Sequence, residues 1–350
     1  MAYRLLPKDK NIKLIGITGT NGKTTTTTLI YNFIKEDGRR VHLAGNIGYP
    51  LCSFLDKLED GDIIVDEISC QQLENVRDYH PDISVLTNIC PTHLDYHGTF
   101  EEYANAKFGV TRNQTEEDYF IFNNDQAIVR AYAEKSKAKK IPFTTKGRVE
   151  EGISADESTI YWNGVAILGR DEIALPGNHN LENILCAVAA CLLHGCELEA
   201  IKAVLATFAG VRHRSQFVRE WKGRKIYNDS KATNCLATKS ALEAFNKPIV
   251  LLAGGLDRGH SFEELRESMG NVKAVVAFGE TGLRFIEFAK TCGVKETVAA
   301  TNVEDAVVYA ANLSAQDDII LLSPACASWD QYDSFEIRGD VFIDCVMKLV

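Results

Sequence analysis

The chain has 350 residues, 45% of them hydrophobic and 25% charged, with a formal net charge of −10. That length predicts two domains, and the acidic balance excludes broad electrostatic binding to nucleic acid, which needs a basic surface. No apolar run approaches the ~20 residues that cross a bilayer, and ten cysteines without a C-x-x-C spacing read as free thiols of a reducing compartment.

The start, MAYRLLPKDKNIK, has no apolar signal core, so a cytoplasmic protein without membrane attachment is expected. Residues 13–18 form a compact strand pattern ending in a glycine-rich turn, and a helix is predicted over 23–35, stopping near Gly38. Buried strands are predicted at 62–66 and 83–87, a helix at 101–112 and a strand at 119–122. Alternation around Asn163-Gly164 predicts a β-hairpin over 159–168. Helices are predicted at 180–194 and 198–208. After Gly210 the alternation restarts, with strands at 225–228, 248–253, 274–278 and 318–322. Helical stretches are predicted near 238–244, 262–268, 283–289 and 303–312. The fold class is therefore α/β: a P-loop-type parallel-sheet domain over 1–210, then a smaller Rossmann-like α/β domain over 211–350. With no low-complexity linker, a short hinge and lobes facing one cleft are expected.

Gly16-Ile-Thr-Gly19-Thr-Asn-Gly22-Lys23-Thr24 lies where the first strand meets the first helix. Its glycines let backbone amides approach an anion at a helix N-terminus. Lys23 would reach terminal phosphates and Thr24 would offer a hydroxyl to Mg²⁺. The spacing is not that of a strict Walker loop, since five residues before Gly22 stands Ile17. A glycine-rich turn without a ligand is the alternative, and Lys-Thr at the start of a helix favours the nucleotide reading.

The run Gly19-Thr-Asn-Gly-Lys-Thr-Thr25 resembles the phosphate loop of the Mur ligases and folylpolyglutamate synthases, ATP-dependent amide-forming enzymes. The resemblance implies that Gly19, Thr20, Asn21, Gly22, Lys23, Thr24 and Thr25 bind ATP. Glu67-Ile-Ser-Cys-Gln-Gln-Leu-Glu74 is similar to a segment of the D-glutamate-adding Mur ligases, with Cys70 for a usual serine and Gln71 for a usual phenylalanine. A carboxylate after a strand is ordinarily a helix cap; the resemblance makes Glu67 a Mg²⁺ ligand. Asn88-Ile-Cys-Pro-Thr-His93-Leu-Asp-Tyr-His-Gly98 is similar to the family segment whose first histidine binds a second Mg²⁺, a role that falls to His93. Asn46 matches a family segment near the phosphates. By itself Lys107 reads as the polar face of a surface helix; the resemblance places it at the family's carbamylated lysine, which helps hold metal. Carbamylation needs a neutral amine and hence a depressed pKa.

Leu175-Pro-Gly-Asn-His-Asn180-Leu-Glu-Asn183 resembles the family segment whose asparagines, here Asn180 and Asn183, contact the adenine side. Capping of the helix by Asn178 or Asn180 is equally compatible. Arg214 matches a hinge arginine that contacts nucleotide, with an interdomain ion pair as the alternative. In Asn228-Asp-Ser-Lys-Ala-Thr-Asn234, the resemblance implies that Asp229 holds ribose or hinge, Lys231 offsets phosphate and carboxylate charge, and Thr233 helps bind the incoming amino acid. Residues 321–339 resemble the D-glutamate-adding branch most closely, and imply a glutamate pocket lined by Ser328 and Phe335. Arg258 stands where some members use lysine to contact glutamate; an ordinary strand-to-helix turn is the alternative.

The activity that the resemblance implies is ATP-driven addition of D-glutamate to UDP-N-acetylmuramoyl-L-alanine through an acyl phosphate, with two Mg²⁺ ions, by a monomer acting on small molecules. The family carries a UDP-binding domain ahead of the phosphate loop, which here begins within the first ~20 residues. A truncated chain, a domain supplied separately and a different acceptor are the expectations this raises. A ligase for another carboxylate and a non-catalytic ATP-binding relative stay open beside the favoured activity.

Overall fold

The computed structural model describes residues 2–47, 49–91, 97–175 and 177–350. The chain divides into two compact units, Met1–Phe208 and Ala209–Val350.

The first unit is built on a nine-stranded sheet. Its strands are β1 (Lys13–Thr18), β2 (Val41–Gly45), β3 (Ile63–Glu67), β4 (Ile83–Leu86), β5 (Tyr119–Asn123), β6 (Lys139–Thr144), β7 (Ile153–Ala155), β8 (Thr159–Trp162) and β9 (Val165–Gly169), in the order β2-β3-β1-β4-β5-β6-β7-β8-β9. Pairing is parallel from β2 to β7 and antiparallel from β7 to β9. The central strands β3 and β4 are buried throughout, mostly apolar but with Asp66, Glu67 and Ser84 among the buried residues, as strands covered on both faces are. Asn163 and Gly164 both take positive φ, 48° and 76°, the conformation a two-residue turn needs to match the twist of β8 and β9. The half-exposed strands β2 and β6 were not predicted, because their polar residues hide the apolar signal.

Its helices are α1 (Lys23–Glu36), α2 (Cys70–Asn75), α3 (Phe100–Phe108), α4 (Ala127–Ala133), α5 (Asn178–Leu193) and α6 (Leu198–Leu205). The predicted 101–112 helix is α-helical only to Phe108 and then tightens into a 3₁₀ turn at Gly109–Thr111, where glycine offers little helix propensity. Helix α5 is buried on every side from Ile184 to Cys191, the mark of a central helix. Four threonines, Thr24 to Thr27, are buried at the start of α1. Poor helix formers are tolerated there partly because side chains turn back on the helix: Thr27 Oγ1 donates to Lys23 O and Thr28 Oγ1 to Thr24 O, each at 2.8 Å.

The second unit has a six-stranded sheet of β10 (Gln216–Trp221), β11 (Arg224–Asn228), β12 (Ile249–Gly254), β13 (Val272–Phe278), β14 (Glu296–Ala299) and β15 (Ile319–Leu322), ordered β10-β11-β15-β12-β13-β14. All pairs are parallel except β10–β11. Helices α7 (Cys235–Glu243), α8 (Gly282–Thr291), α9 (Val303–Leu313) and α10 (Phe335–Met347) accompany it. Alternate strand residues feed two cores. Leu251, Val275 and Leu321 pack with Phe285 of α8, and Val250, Val276 and Ile320 with Phe342 of α10. The helix predicted at 262–268 is a 3₁₀ segment, Glu263–Asn271. Both units are α/β with mainly parallel sheets, as expected from the sequence.

Candidate active site

In the first unit the chain reverses its progress across the sheet beside β1, which lies between β3 and β4. Open α/β sheets bind ligands at the carboxyl ends of strands at such a point. The turn from β1 into α1 occupies it. Gly22 is the N-cap of α1 in the left-handed region, φ 82°, with no side-chain cap bond, so the first amides of the helix are not satisfied by a capping side chain. A Cβ at Gly19 would overlap the Thr87 hydroxyl, and one at Gly22 the Asn183 amide oxygen. The turn is held by the segment after β4: Thr20 N donates to Asn88 O at 2.9 Å, Asn21 N to Asn88 Oδ1 at 2.9 Å, and Thr87 Oγ1 to Asn21 O at 2.6 Å.

Two lysines converge on this turn. Lys23 Nζ donates to Gly19 O and Thr20 O, both at 2.9 Å, and Lys107 Nζ from α3 donates to the same Gly19 carbonyl at 2.8 Å. Lys107 is only 2% exposed, which corrects the reading of this position as a solvated helix face. Its ammonium lies 4.7 Å from the centroid of the Tyr103 ring, and Tyr103 in turn bonds Thr20 through its hydroxyl at 2.8 Å. Burial, and behind it the Lys23 charge, pulls the Lys107 pKa down to about 7.

Glu67 is the last residue of β3 rather than the residue after it. It is 1% exposed, accepts from Asn46 Nδ2 at 3.1 Å, and keeps Oε2 buried with no protein partner. An orphaned carboxylate oxygen beside a phosphate-type turn suits a hard cation. Thr24 and Thr25, the next residues of α1 after Lys23, are both buried. His93 lies outside the described residues. Among the described residues, no cluster of three or more His, Cys, Asp or Glu side chains is placed to hold a metal. Asn180 and Asn183 both sit in the first turns of α5, whose N-cap is Gly177 at φ 103° without a side-chain cap. The N-cap position thus falls to Gly177 rather than to Asn178 or Asn180.

The other predicted residues belong to the second unit and gather at the carboxyl edge of its sheet. Asp229, just past β11, is buried and accepts from Ser215 N at 3.0 Å and Ser323 Oγ at 2.8 Å. Burial raises its pKa to about 6 against those two bonds and the nearby Arg214 charge. Lys231 Nζ lies 5.8 Å from the Phe335 ring centroid, and Ser230 Oγ donates to Phe335 O at 2.8 Å, so the 228–231 turn is tied to the start of α10. Thr233 is held by the same turn through its amide to Lys231 O at 2.9 Å. Ser328 is 2% exposed and its Oγ has no partner.

Arg338 lies within the 321–339 motif but carries no role in the sequence reading. It is completely buried, with Nε donating to Ser230 Oγ at 3.0 Å and Nη2 to Ser230 O and Cys326 O at 2.9 and 3.0 Å. Its Nη1 has no partner and faces Gly255, where a Cβ would come within 3.2 Å of it. Burial lowers its pKa to about 10, so it keeps its charge near neutral pH. With Glu336, Asp340 and Asp344 on the same helix, nothing in the local sequence sets this arginine apart from a solvated one.

A phosphate-type turn with two converging lysines and an unpaired carboxylate oxygen, followed by a second α/β unit with unsatisfied polar atoms at its sheet edge, defines a nucleotide-dependent group-transfer architecture. The family described as Mur ligase middle domain matches residues 17–191, and the one described as Mur ligase, glutamate ligase domain matches residues 213–326. The chain belongs to the Mur ligase family. It is 52% identical over 336 residues to UDP-N-acetylmuramoylalanine–D-glutamate ligase of Geobacillus kaustophilus (strain HTA426), covering 96% of this chain and 74% of that one. It is 49% identical to the enzyme of the same name from Bacillus subtilis (strain 168), covering 96% and 75%. Among solved structures it resembles MurF ligase from Thermotoga maritima in complex with ADP, with a TM-score of 0.72 at 20% identity over 99% of this chain and 83% of that one. A MurF from Acinetobacter baumannii gives 0.73 at 20% identity over 99% and 79%. At those identities the structures bear on the fold.

Proposed function

We propose that this chain joins D-glutamate to UDP-N-acetylmuramoyl-L-alanine in an ATP-driven reaction of peptidoglycan precursor synthesis. The observation that carries the reading is the meeting of Lys23 and Lys107 on the Gly19 carbonyl at the head of α1, in a chain about half identical to ligases of that name. Residues 1–210 take the ATP role and 211–350 the amino-acid role.

Gly19, Thr20, Asn21, Gly22, Lys23, Thr24 and Thr25 would wrap the phosphates, with Asn46 beside them and Asn180 and Asn183 toward the adenine. The open amides at the N-terminus of α1 favour an anion there. Thr24, Glu67, His93 and a carbamylated Lys107 would hold two Mg²⁺ ions; the free Glu67 Oε2 and the all-oxygen character of three of these groups fit that cation. When bound, the ions supply positive charge against the phosphate oxygens. Lys107 supports its own modification: only a neutral amine attacks CO₂, and burial makes that form abundant near pH 7.

The substrate carboxylate attacks the γ-phosphorus, the bond to the β-phosphate oxygen breaks, and ADP leaves with an acyl phosphate behind. Lys23 offsets charge on the transferring group, so catalysis is largely positioning and electrostatics. The D-glutamate amine then attacks the acyl carbon, inorganic phosphate leaves, and the nitrogen loses a proton as the amide forms. Ser328 Oγ and Arg338 Nη1, both buried without partners, are suited to the glutamate carboxylates, with Arg258, Phe335, Lys231 and Thr233 at the same sheet edge; Arg214 and Asp229 keep the nucleotide roles that the family resemblance implies. A cytoplasmic monomer acting on small molecules is proposed. A net charge of −10 speaks against nucleic acid, and no helix among the described residues is long and apolar enough to cross a membrane.

The test is release of ADP and phosphate from ATP and Mg²⁺ with UDP-N-acetylmuramoyl-L-alanine and D-glutamate, omitting each in turn. Release that requires both substrates and disappears in Lys23→Ala supports the reading; release indifferent to D-glutamate sinks it.

A further inference from the structure

Trp329 follows Ser328 and is 64% exposed, an unusual place for the largest aromatic side chain unless its ring has a partner. The partner is Arg258, whose guanidinium carbon lies 4.8 Å from the indole ring, within the range of a cation–π contact. Among the described residues, no carboxylate and no hydrogen-bond acceptor holds that guanidinium. Arg284, nearby in the same unit, shows the alternative: it donates to Asp257 Oδ2 and His260 O, each at 2.8 Å. In a chain with a net charge of −10, a cation resting on an indole keeps its charge available to an arriving anion.

The loops carrying the two residues are tied together. Gly254 N donates to Pro324 O at 2.9 Å and Leu256 N to Ala327 O at 3.0 Å. Asp257 N donates to Glu280 Oε2 at 3.0 Å, and Glu280 N to Asp330 Oδ2 at 3.1 Å. The loops are thus tied up to the residue before Arg258, through the Ala327 backbone before Trp329 and through the Asp330 side chain after it. What remains loose is the arginine side chain, which loses much rotamer freedom when it engages a ligand. A stacked indole removes part of that loss beforehand.

We propose that Trp329 is a positioning residue for the amino-acid substrate, holding Arg258 ready at the sheet edge that also carries the unsatisfied Ser328 Oγ and Arg338 Nη1 to meet a dicarboxylic amino acid. This rests on the reading of Arg258 and Ser328 as glutamate-binding residues. Its occupant is the free D-amino acid, and its effect belongs to capture rather than to phosphoryl transfer.

Steady-state kinetics of the full chain with Trp329→Ala, Trp329→Phe, Arg258→Ala and the double variant separate the two levels. Losing a charged contact, Arg258→Ala is expected to raise the D-glutamate KM about tenfold or more. Trp329→Ala raises it about fivefold with kcat and the ATP KM unchanged, and Trp329→Phe returns most of the loss because a ring face remains. The double variant is no worse than Arg258→Ala alone, since the indole acts only through the guanidinium. Titration calorimetry of D-glutamate into the ADP-saturated protein reads the same ratios as Kd. If Arg258→Ala raises the D-glutamate KM and Trp329→Ala does not, the positioning role is wrong. If Arg258→Ala itself changes nothing, the underlying glutamate reading fails. Equal rises in the ATP and D-glutamate KM for Trp329→Ala, or no rescue by phenylalanine, would also overturn the proposal.

Discussion

Lys107 and Ser328 are the side chains on which the proposed chemistry is most exposed to test. A lysine whose native pKa is about 7, against roughly 10.4 when unfolded, binds fewer protons folded than unfolded between those values. Stability therefore rises with pH across that window, and the cost of the buried charge is fully present below it. In protein free of Mg²⁺ and bicarbonate, Lys107→Met is expected to be more stable than the parent at pH 6, by a few kcal/mol at most. The gap should narrow toward pH 10; denaturant unfolding at both pH values measures it. A gap that stays constant instead would show that the amine keeps its charge in the folded protein. With ¹³C-bicarbonate and Mg²⁺, the parent should show a carbamate carbon resonance that Lys107→Met lacks. Ser328→Ala removes one hydroxyl from a buried position with no internal partner, so folding should be nearly unaffected. Loss of a hydrogen bond to a charged ligand, worth about 1.5–3 kcal/mol, should raise the D-glutamate KM roughly tenfold or more.

At the scale of an element, the junction of β1 and α1 governs nucleotide binding through backbone shape. Gly22 sits at φ 82° with the Asn183 amide where a Cβ would go. Gly22→Ala is expected to destabilise the first unit by about 1–2 kcal/mol from the left-handed backbone alone, and further from displacement of Asn183. ADP affinity should fall more steeply than stability, because the same residue sets the aim of the helix amides. Thermal melts and ADP titration on one preparation compare the two losses. Equal losses would mean that the turn contributes packing without anion geometry. The threonine run that opens α1 follows the same logic. Buried Thr27 and half-buried Thr28 donate to carbonyls of the helix itself, and buried Thr26 donates to Asn183 O.

For the whole molecule, each unit has its own sheet and its own buried clusters, so a ligand bound by one unit should stabilise that unit first. Mg-ADP at a hundred times its Kd adds about 2.7 kcal/mol to the state that binds it. Hydrogen exchange should show the added protection concentrated in residues 13–36 and 83–91 of the first unit, with β12, β13 and β15 of the second little changed. Protection appearing only in the second unit would move the nucleotide site away from the turn after β1.

Much of this was written in local pattern. Gly19 to Thr25, the Asn163-Gly164 hairpin and the buried runs of β1, β3, β4, β12 and β15 were legible because turn chemistry and apolar periodicity act over a few residues. The family resemblance carried the remaining candidate residues by motif. What the sequence could not determine depends on groups distant along the chain. Lys107 looks like any helix-surface lysine until α3 packs its Nζ onto Gly19, 88 residues away, where burial and Lys23 together lower its pKa. Arg338 looks like a surface arginine until α10 places it beneath Ser230 and Cys326 with one nitrogen unsatisfied. Desolvation and unsatisfied hydrogen bonds are properties of an enclosed environment, and only tertiary packing encloses it.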